Sequence, residues 1–301
     1  MNSSRPKSMH LRLPATSANL GPGFDAIALA LELFLEIQAT PAEQFSIEAT
    51  GRDREICSGL TRNLLIQTYE SVLTTQRRPV LPLAIRMSNA IPVGMGCGSS
   101  AAVRLAGVAL ASAFAGLDWD SAQILEYAAR LEGHPDNVAA CWHGGLTIAA
   151  DAEPLAVVSI PPPANWRALL VLPENPVATA RARAMLPLTY DRQDVVASVQ
   201  RVSLLTAAFA LGRADLMPVA TRDRLHQPYR MELCPLLPAL LPLAGKPGIL
   251  SVTLSGAGPS ILVLTDAPDL ESLKAAILDQ AKPVCPVEIL PANLCSHGAT
   301  H

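Results

Sequence analysis

Between Ile91 and Ala115 a glycine-rich turn runs directly into a stretch that is apolar on nearly every side. Glycines at 94, 96 and 98 alternate with other residues, so the backbone bends tightly and a ligand approaches it without meeting a Cβ. Ser99 and Ser100 then open a helix expected to run to about Ala115, with Val103, Leu105, Ala106, Val108, Leu110 and Phe114 spread around it. A helix that is apolar all round is a buried one. The free N–H groups of its first turn and their partial positive charge make a ready anion site. A phosphate chain fits there, and a serine hydroxyl can reach Mg²⁺, which takes oxygen ligands. A plain strand-to-helix turn capped by serine fits the same residues, and both readings stand at this point. The loop lacks the lysine of G-x-x-x-x-G-K-S/T, so it is not a P-loop. The chain also lacks the strand-embedded lysine, H-R-D and D-F-G elements of protein kinases.

With 301 residues, half of them hydrophobic, the chain is long enough for one large or two ordinary domains with a sizeable core. Its formal net charge is −3 and it has no Lys/Arg-rich block. That argues against nucleic acid as a partner, since phosphate-backbone binding needs a concentrated basic face. Between Lys7 and Lys246 there is no lysine, so charged recognition of a substrate in that span falls to arginine. Guanidinium favours planar, two-pronged binding of carboxylate or phosphate. Cys57, Cys97, Cys141, Cys234, Cys285 and Cys295 are scattered, with no C-x-x-C pair and no zinc spacing. A reduced, cytoplasmic compartment is expected. Residues 1–13 carry Arg5 and Lys7 with no apolar core after them, so no secretory signal is expected. The longest nearly apolar run, 105–117, is too short to span a bilayer, and no membrane partner is expected.

The pattern along the chain predicts strands at 9–13, 28–39, 44–49 and 83–87, with a loop of small and polar residues at 14–25. Asp120 or Ser121 is a good cap for a second helix running to Leu131, stopped by Gly133 and Pro135. Pro161, Pro162 and Pro163 cannot sit inside a helix or a central strand, and they mark a connection between two halves. The second half predicts a strand at 168–172, helices at 194–211 and 214–224, strands at 249–254 and 260–264, a helix at 269–281 and a strand at 287–290. Mixed elements of this kind suggest an α+β fold, divided into residues 1–160 and 161–301.

Other clusters read both ways on their own residues. In the segment from Pro14 to Asp25, Gly21 and Gly23 let the chain turn sharply, which can bring Asn19 and Asp25 together to hold an ammonium group or orient a hydroxyl. An ordinary turn uses the same residue types. Glu126 stands four residues before Arg130, the spacing of a surface ion pair, and His134 suits a structural, hydrogen-bonded role. Arg183 and Arg230, taken alone, are solvated surface groups. The run Ser255-Gly256-Ala257-Gly258-Pro259-Ser260 is by itself a glycine turn.

Together these segments resemble the galactokinase, homoserine kinase, mevalonate kinase and phosphomevalonate kinase (GHMP) superfamily. The run Pro92-Val93-Gly94-Met95-Gly96-Cys97-Gly98-Ser99-Ser100-Ala101-Ala102 is similar to its phosphate motif, P-x-G-x-G-L-G-S-S-A-A, with Cys97 in place of leucine. Pro14 to Asp25 resembles the first homoserine kinase motif, P-A-T-S-A-N-L-G-x-G-F-D, and Ser255 to Ser260 resembles the third, S-G-S/A-G-P-S/T. All three occur in order over residues 13–264. The resemblance implies a two-domain GHMP kinase fold, with an N-terminal half like ribosomal protein S5 domain 2 and a ferredoxin-like C-terminal half. It implies phosphoryl transfer from ATP, with Mg²⁺, to the hydroxyl of L-homoserine. Residues 92–101 and Asn63 would contact nucleotide. Ser100, with Ser99 as the alternative, and Glu126 would hold the metal, Glu126 because the family carries a glutamate eight residues before the histidine of H-x-D-N-V. Asn19 and Asp25 would take the substrate's ammonium end. His134 and Asn137 would line the homoserine pocket, and Asp136 would occupy the place of a catalytic aspartate. Thr179 would lie beside the substrate, and Arg183 and Arg230 would clamp its carboxylate. Arg183 is preferred to Arg181 for its A-R pair, although Ala178 stands where serine is common. Another small alcohol as acceptor, or a non-catalytic nucleotide-binding relative, are the alternatives. Oligomeric state is left open, a homodimer included.

Overall fold

The computed structural model describes residues 6–300. Residues 1–5, with the Arg5 read for a secretory signal, and His301 lie outside the described residues. The first strand, β1 (Met9–Asn19), does not stop at Leu13 but continues through the expected loop. A three-residue turn then leads into β2 (Gly23–Pro41), which pairs antiparallel with β1 from Met9↔Ala39 to Asn19↔Gly23. The segment stays extended because its small residues are packed on both faces: Ala15, Thr16 and Ser17 have no exposed surface. Only short side chains fit where Thr16 meets Cys97, Gly98 and Asn137, and Ser17 and Ala18 meet Ser255 and Gly256.

β3 (Ser46–Gly51) and β4 (Leu83–Asn89) are parallel and joined through α1 (Arg54–Ser58) and α2 (Leu64–Thr75). After the glycine loop come α3 (Ser99–Ala115), α4 (Ser121–Glu132) and α5 (Asp136–His143), then β5 (Leu146–Ala150) and β6 (Ala156–Ile160). The six strands order as β3-β4-β2-β5-β6 with β1 on β2. α3 is the pivot of the helical layer, as its all-round apolar pattern requires. Leu105, Val108 and Leu110 are fully buried, each burial favouring the fold by roughly 1.5–3 kcal/mol. Gly107 lets α2 pass close by, since a Cβ there would stand 2.8 Å from Thr68 Cβ. α4 begins at Asp120 with a reciprocal cap to Gln123 and ends at Gly133 in the left-handed region.

Residues 161–163 fall between β6 and β7 (Arg167–Pro173). The second half continues with α6 (Thr179–Ala184), α7 (Arg192–Ala210), α8 (Met217–Ala220), α9 (Gln227–Arg230) and α10 (Leu236–Leu240). It closes with β8 (Ile249–Leu254), β9 (Ile261–Thr265), α11 (Leu270–Ala281) and β10 (Val287–Asn293). The expected helix at 214–224 is a 3₁₀ turn followed by the short α8, because Pro218 removes a donor and the chain must turn back toward the site. The sheet is antiparallel with order β10-β7-β9-β8, the ferredoxin-like arrangement. A continuous apolar core runs from the first sheet through α3 to Leu170, Leu205 and Leu262 of the second half. Among the described residues no helix is long and apolar enough to cross a membrane.

Candidate active site

The glycine loop enters α3 with no side-chain cap: Gly98 stands at the helix start with φ +71° and leaves the first N–H groups to another partner. Both its neighbours forbid a side chain. A Cβ on Gly98 would overlap Thr16 Oγ1, and one on Gly96 (φ +79°) would overlap the Ser255 carbonyl. Ser255 Oγ in turn donates to the Gly96 carbonyl at 2.8 Å. The loop is thus clamped between the first motif and the third. Gly98→Ala is expected to destabilise the chain by at least about 1–3 kcal/mol, the cost of a left-handed residue alone. Denaturant unfolding checks this, and an unchanged midpoint would remove the clamp.

Two hollows meet at this loop. The larger, about 600 Å³, is mostly apolar, with Ile56, Leu65, Ile91 and Val103 among its walls. The smaller, about 120 Å³, is the more polar of the two and takes in the charged or titratable Asp25, His134, Asp136, Arg183 and Arg230. Gly94, Ser99 and Ser100 line both. Ser100 Oγ donates to Glu132 Oε2 at 3.0 Å, and Arg104 pairs with the same carboxylate at 2.6 Å. Hydroxyl plus carboxylate is an oxygen donor set that suits a hard cation such as Mg²⁺.

The polar hollow gathers residues from both halves. Asn19, Leu20 and Asp25 all have positive φ, so the turn after β1 folds back sharply. Asn19 is a clasp for that turn: its Oδ1 accepts from the Asp25 amide at 3.0 Å and its Nδ2 donates to the Gly256 carbonyl at 2.9 Å. Asp25 receives two parallel hydrogen bonds from Arg183, at 2.9 and 2.7 Å, and these hold the Arg183 guanidinium above its ordinary pKa. Arg230 is 1 % exposed. Burial, followed by repulsion from Arg183, pushes its pKa down. Asp136 Oδ1 faces His134 Nδ1 at 2.8 Å and accepts from the Asn137 amide at 2.6 Å and Asn137 Nδ2 at 3.2 Å. The bond to Asp136 raises the His134 pKa. Thr16 Oγ1 donates to Asn137 Oδ1 at 2.7 Å and fixes that amide's orientation.

The sequence-expected residues sort as follows. Asn19, Asp25, His134, Asp136, Asn137, Thr179, Arg183 and Arg230 line the one polar hollow together with Gly94, Gly96, Cys97, Gly98, Ser99 and Ser100. Arg181, on the same short helix as Arg183, is exposed. Val93 and Asn63 line the apolar hollow, but the Asn63 side chain is spent on capping α2 and on the Cys57 and Gly59 carbonyls. Pro92, Met95 and Ala101 line neither hollow, being turned into the protein. Glu126 is a correction. It pairs with Arg130 at 2.7 Å and lines a separate surface hollow. The carboxylate beside Ser100 is Glu132, six residues later. Six residues turn a helix by ~240°, so the two glutamates face different ways. Glu132 stands two residues before His134, a spacing readable in the sequence but not the one used. Phe24, whose ring lies beneath the guanidinium carbons of Arg183 and Arg230 at 5.7 and 5.4 Å, was also missed.

A fold of two such sheets, with an uncapped glycine loop shared by an apolar and a polar hollow, describes a small-molecule kinase, and comparison with known proteins gives the class its name. Residues 63–145 match the family described as GHMP kinases N terminal domain, and residues 207–282 match GHMP kinases C terminal. The chain is 46 % identical to "Homoserine kinase" of Solibacter usitatus over 84 % of each protein. It is 36 % identical to "Homoserine kinase" of Moorella thermoacetica over 96 % of this chain and 98 % of that one. The crystal structure of homoserine kinase from Cytophaga hutchinsonii superposes with a TM-score of 0.81, at 26 % identity, over 100 % of this chain and 99 % of that one. The chain belongs to the GHMP kinases and, within them, to the homoserine kinase family.

Proposed function

We propose that this chain transfers the γ-phosphoryl group of ATP to the side-chain hydroxyl of L-homoserine, giving O-phospho-L-homoserine for threonine biosynthesis. The observation that carries the reading is the shared wall. A nucleoside suits the apolar hollow, a small zwitterion suits the polar one, and the uncapped start of α3 lies between them. Residues 1–160 would hold the nucleotide, and residues 161–301 would supply the arginines that close the acceptor end. Backbone N–H groups of the loop would hold the phosphates. Ser100 and Glu132 would hold Mg²⁺, which neutralises charge on the transferring group. Asp25 would meet the ammonium group, and Arg183 and Arg230 the carboxylate.

Asp136 Oδ1 already meets three donors, from His134 and Asn137, which suits it to an orienting role. Phosphoryl transfer passes through a loose transition state, so alignment and charge neutralisation would carry most of the acceleration. Asp136 would then orient His134 and Asn137 around the acceptor hydroxyl. A cytoplasmic setting accords with six free thiols and with the need for ATP. A coupled ADP-release assay on the purified chain tests the reading. Homoserine-dependent ADP release, matched by phosphohomoserine formed, is expected. Release with mevalonate or a sugar but none with millimolar L-homoserine would replace the acceptor.

A further inference from the structure

Arg230 is a buried guanidinium with an unusual set of partners. Its Nε donates to the Ala182 carbonyl at 3.2 Å, and its Nη1 reaches the Gly256 carbonyl at 3.3 Å and His226 Nδ1 at 3.1 Å. All three acceptors are uncharged, so the cation keeps its demand for an anion while being held in one orientation. Of the three, only His226 contributes a side chain, and that side chain can change between donor and acceptor.

The surroundings of His226 decide which it is. Guanidinium can only donate, so Nδ1 facing Arg230 must carry a lone pair. On the other side Nε2 lies 2.8 Å from the Gly21 carbonyl and 3.4 Å from Asp223 Oδ2. Both are acceptors, so Nε2 carries the proton. The ring has no exposed surface and stacks on Phe24 with centroids 5.2 Å apart. Asp223 is itself fixed, accepting from the amides of Leu225, His226 and Gln227 at 2.8, 2.9 and 2.7 Å.

We propose that His226 is a positioning residue for acceptor recognition: as a neutral imidazole protonated on Nε2, it ties the turn at Gly21 to Arg230 and aims that guanidinium at the substrate carboxylate. The inference rests on the acceptor reading above and adds a residue to it. A second proton on Nδ1 would set a donor against a donor and a charge against a like charge, so the neutral form belongs to the geometry. Burial, the chief influence on this ring, favours the same form and pushes its pKa down. The link also explains why a segment in the second half must be matched to the turn after β1: Asn19 and Arg230 meet at the Gly256 carbonyl, and His226 joins them from below.

Steady-state kinetics of the full chain with His226→Gln, His226→Leu and His226→Asn test this. Gln keeps a donor near the Nε2 position and loses the acceptor, Leu loses both, and Asn restores an acceptor near Nδ1. Gln and Leu are expected to raise KM for homoserine roughly ten- to hundredfold, the worth of a hydrogen bond to a charged group. KM for ATP should move by no more than about twofold, and Asn should recover most of the homoserine loss. An equal rise in all three variants, or a rise for ATP in step with homoserine, overturns the proposal in favour of a plain strut. Should the variants fail to fold, nitrogen NMR of isotope-labelled histidine in the wild-type chain decides. A bare Nδ1 and protonated Nε2 are expected, and the opposite tautomer or an imidazolium at neutral pH overturns the assignment. Wild-type inactivity toward homoserine would instead count against the acceptor reading, and the NMR result would still judge the tautomer.

Discussion

Glu132→Gln is expected to lower kcat by about two to three orders of magnitude, the several kcal/mol that a metal ion contributes at a developing phosphoryl charge. Its carboxylate is 11 % exposed and receives Ser100 Oγ at one oxygen. The amide keeps the size and the hydrogen bond but loses the charge that would balance a divalent cation. Arg104, ion-paired with Glu132, would then stand uncompensated and repel the same cation. Glu126→Gln, made beside it, should leave kcat within about twofold, since an exposed i, i+4 pair is worth only a few tenths of a kcal/mol. Magnesium titration by calorimetry with a non-hydrolysable nucleotide gives a readout independent of turnover. Loss of metal affinity in the Glu126 variant and not in the Glu132 variant would reverse the assignment.

Arg230→Ala should raise KM for homoserine by at least about thirtyfold, because truncating one partner of a buried charge pair costs roughly 2–5 kcal/mol. KM for ATP should stay within about twofold, since Arg230 lines the polar hollow and not the apolar one. Arg230→Lys should recover little: an ammonium is a point charge and cannot serve the Ala182 carbonyl, the Gly256 carbonyl and His226 while still facing a carboxylate. Homoserine binding measured by calorimetry separates this loss from any change in chemistry. A homoserine KM within about twofold of wild type in the alanine variant would take Arg230 out of the acceptor site.

The parts of the site that could be read in advance were those set by backbone freedom. Glycines at 94, 96 and 98 before an all-apolar helix showed a tight strand-to-helix turn open to an anion, and the resemblance to the GHMP kinases chose between that and a plain capped turn. The first motif was legible as a cluster but not as a shape. Small polar residues at 14–19 suggest a loop, yet they form strand because tertiary packing leaves room for nothing larger. That Glu132 and not Glu126 would stand beside Ser100 depends on how α4 packs against α3, which the eight-residue spacing to His134 does not report. α2 went unseen although Asn63 begins it, since a capping asparagine and a ligand-binding one look alike in a sequence. Arg183 and Arg230 could be chosen as charges suited to a carboxylate. That one would lie against Asp25 and the other against a histidine depends on contacts 158 and 4 residues apart, and only the folded chain supplies the former.

The twofold bridge between Asp25 and Arg183 would make the proposed acceptor site its own counter-ion. To enter, a guest must prise apart two groups that already satisfy each other. An amine alone would leave the guanidinium bereft, and a simple acid would abandon the aspartate. On the proposed reading only a molecule bearing both signs at the right span would compensate each jaw as it opens, so discrimination against half-matching metabolites would be built into the resting state itself.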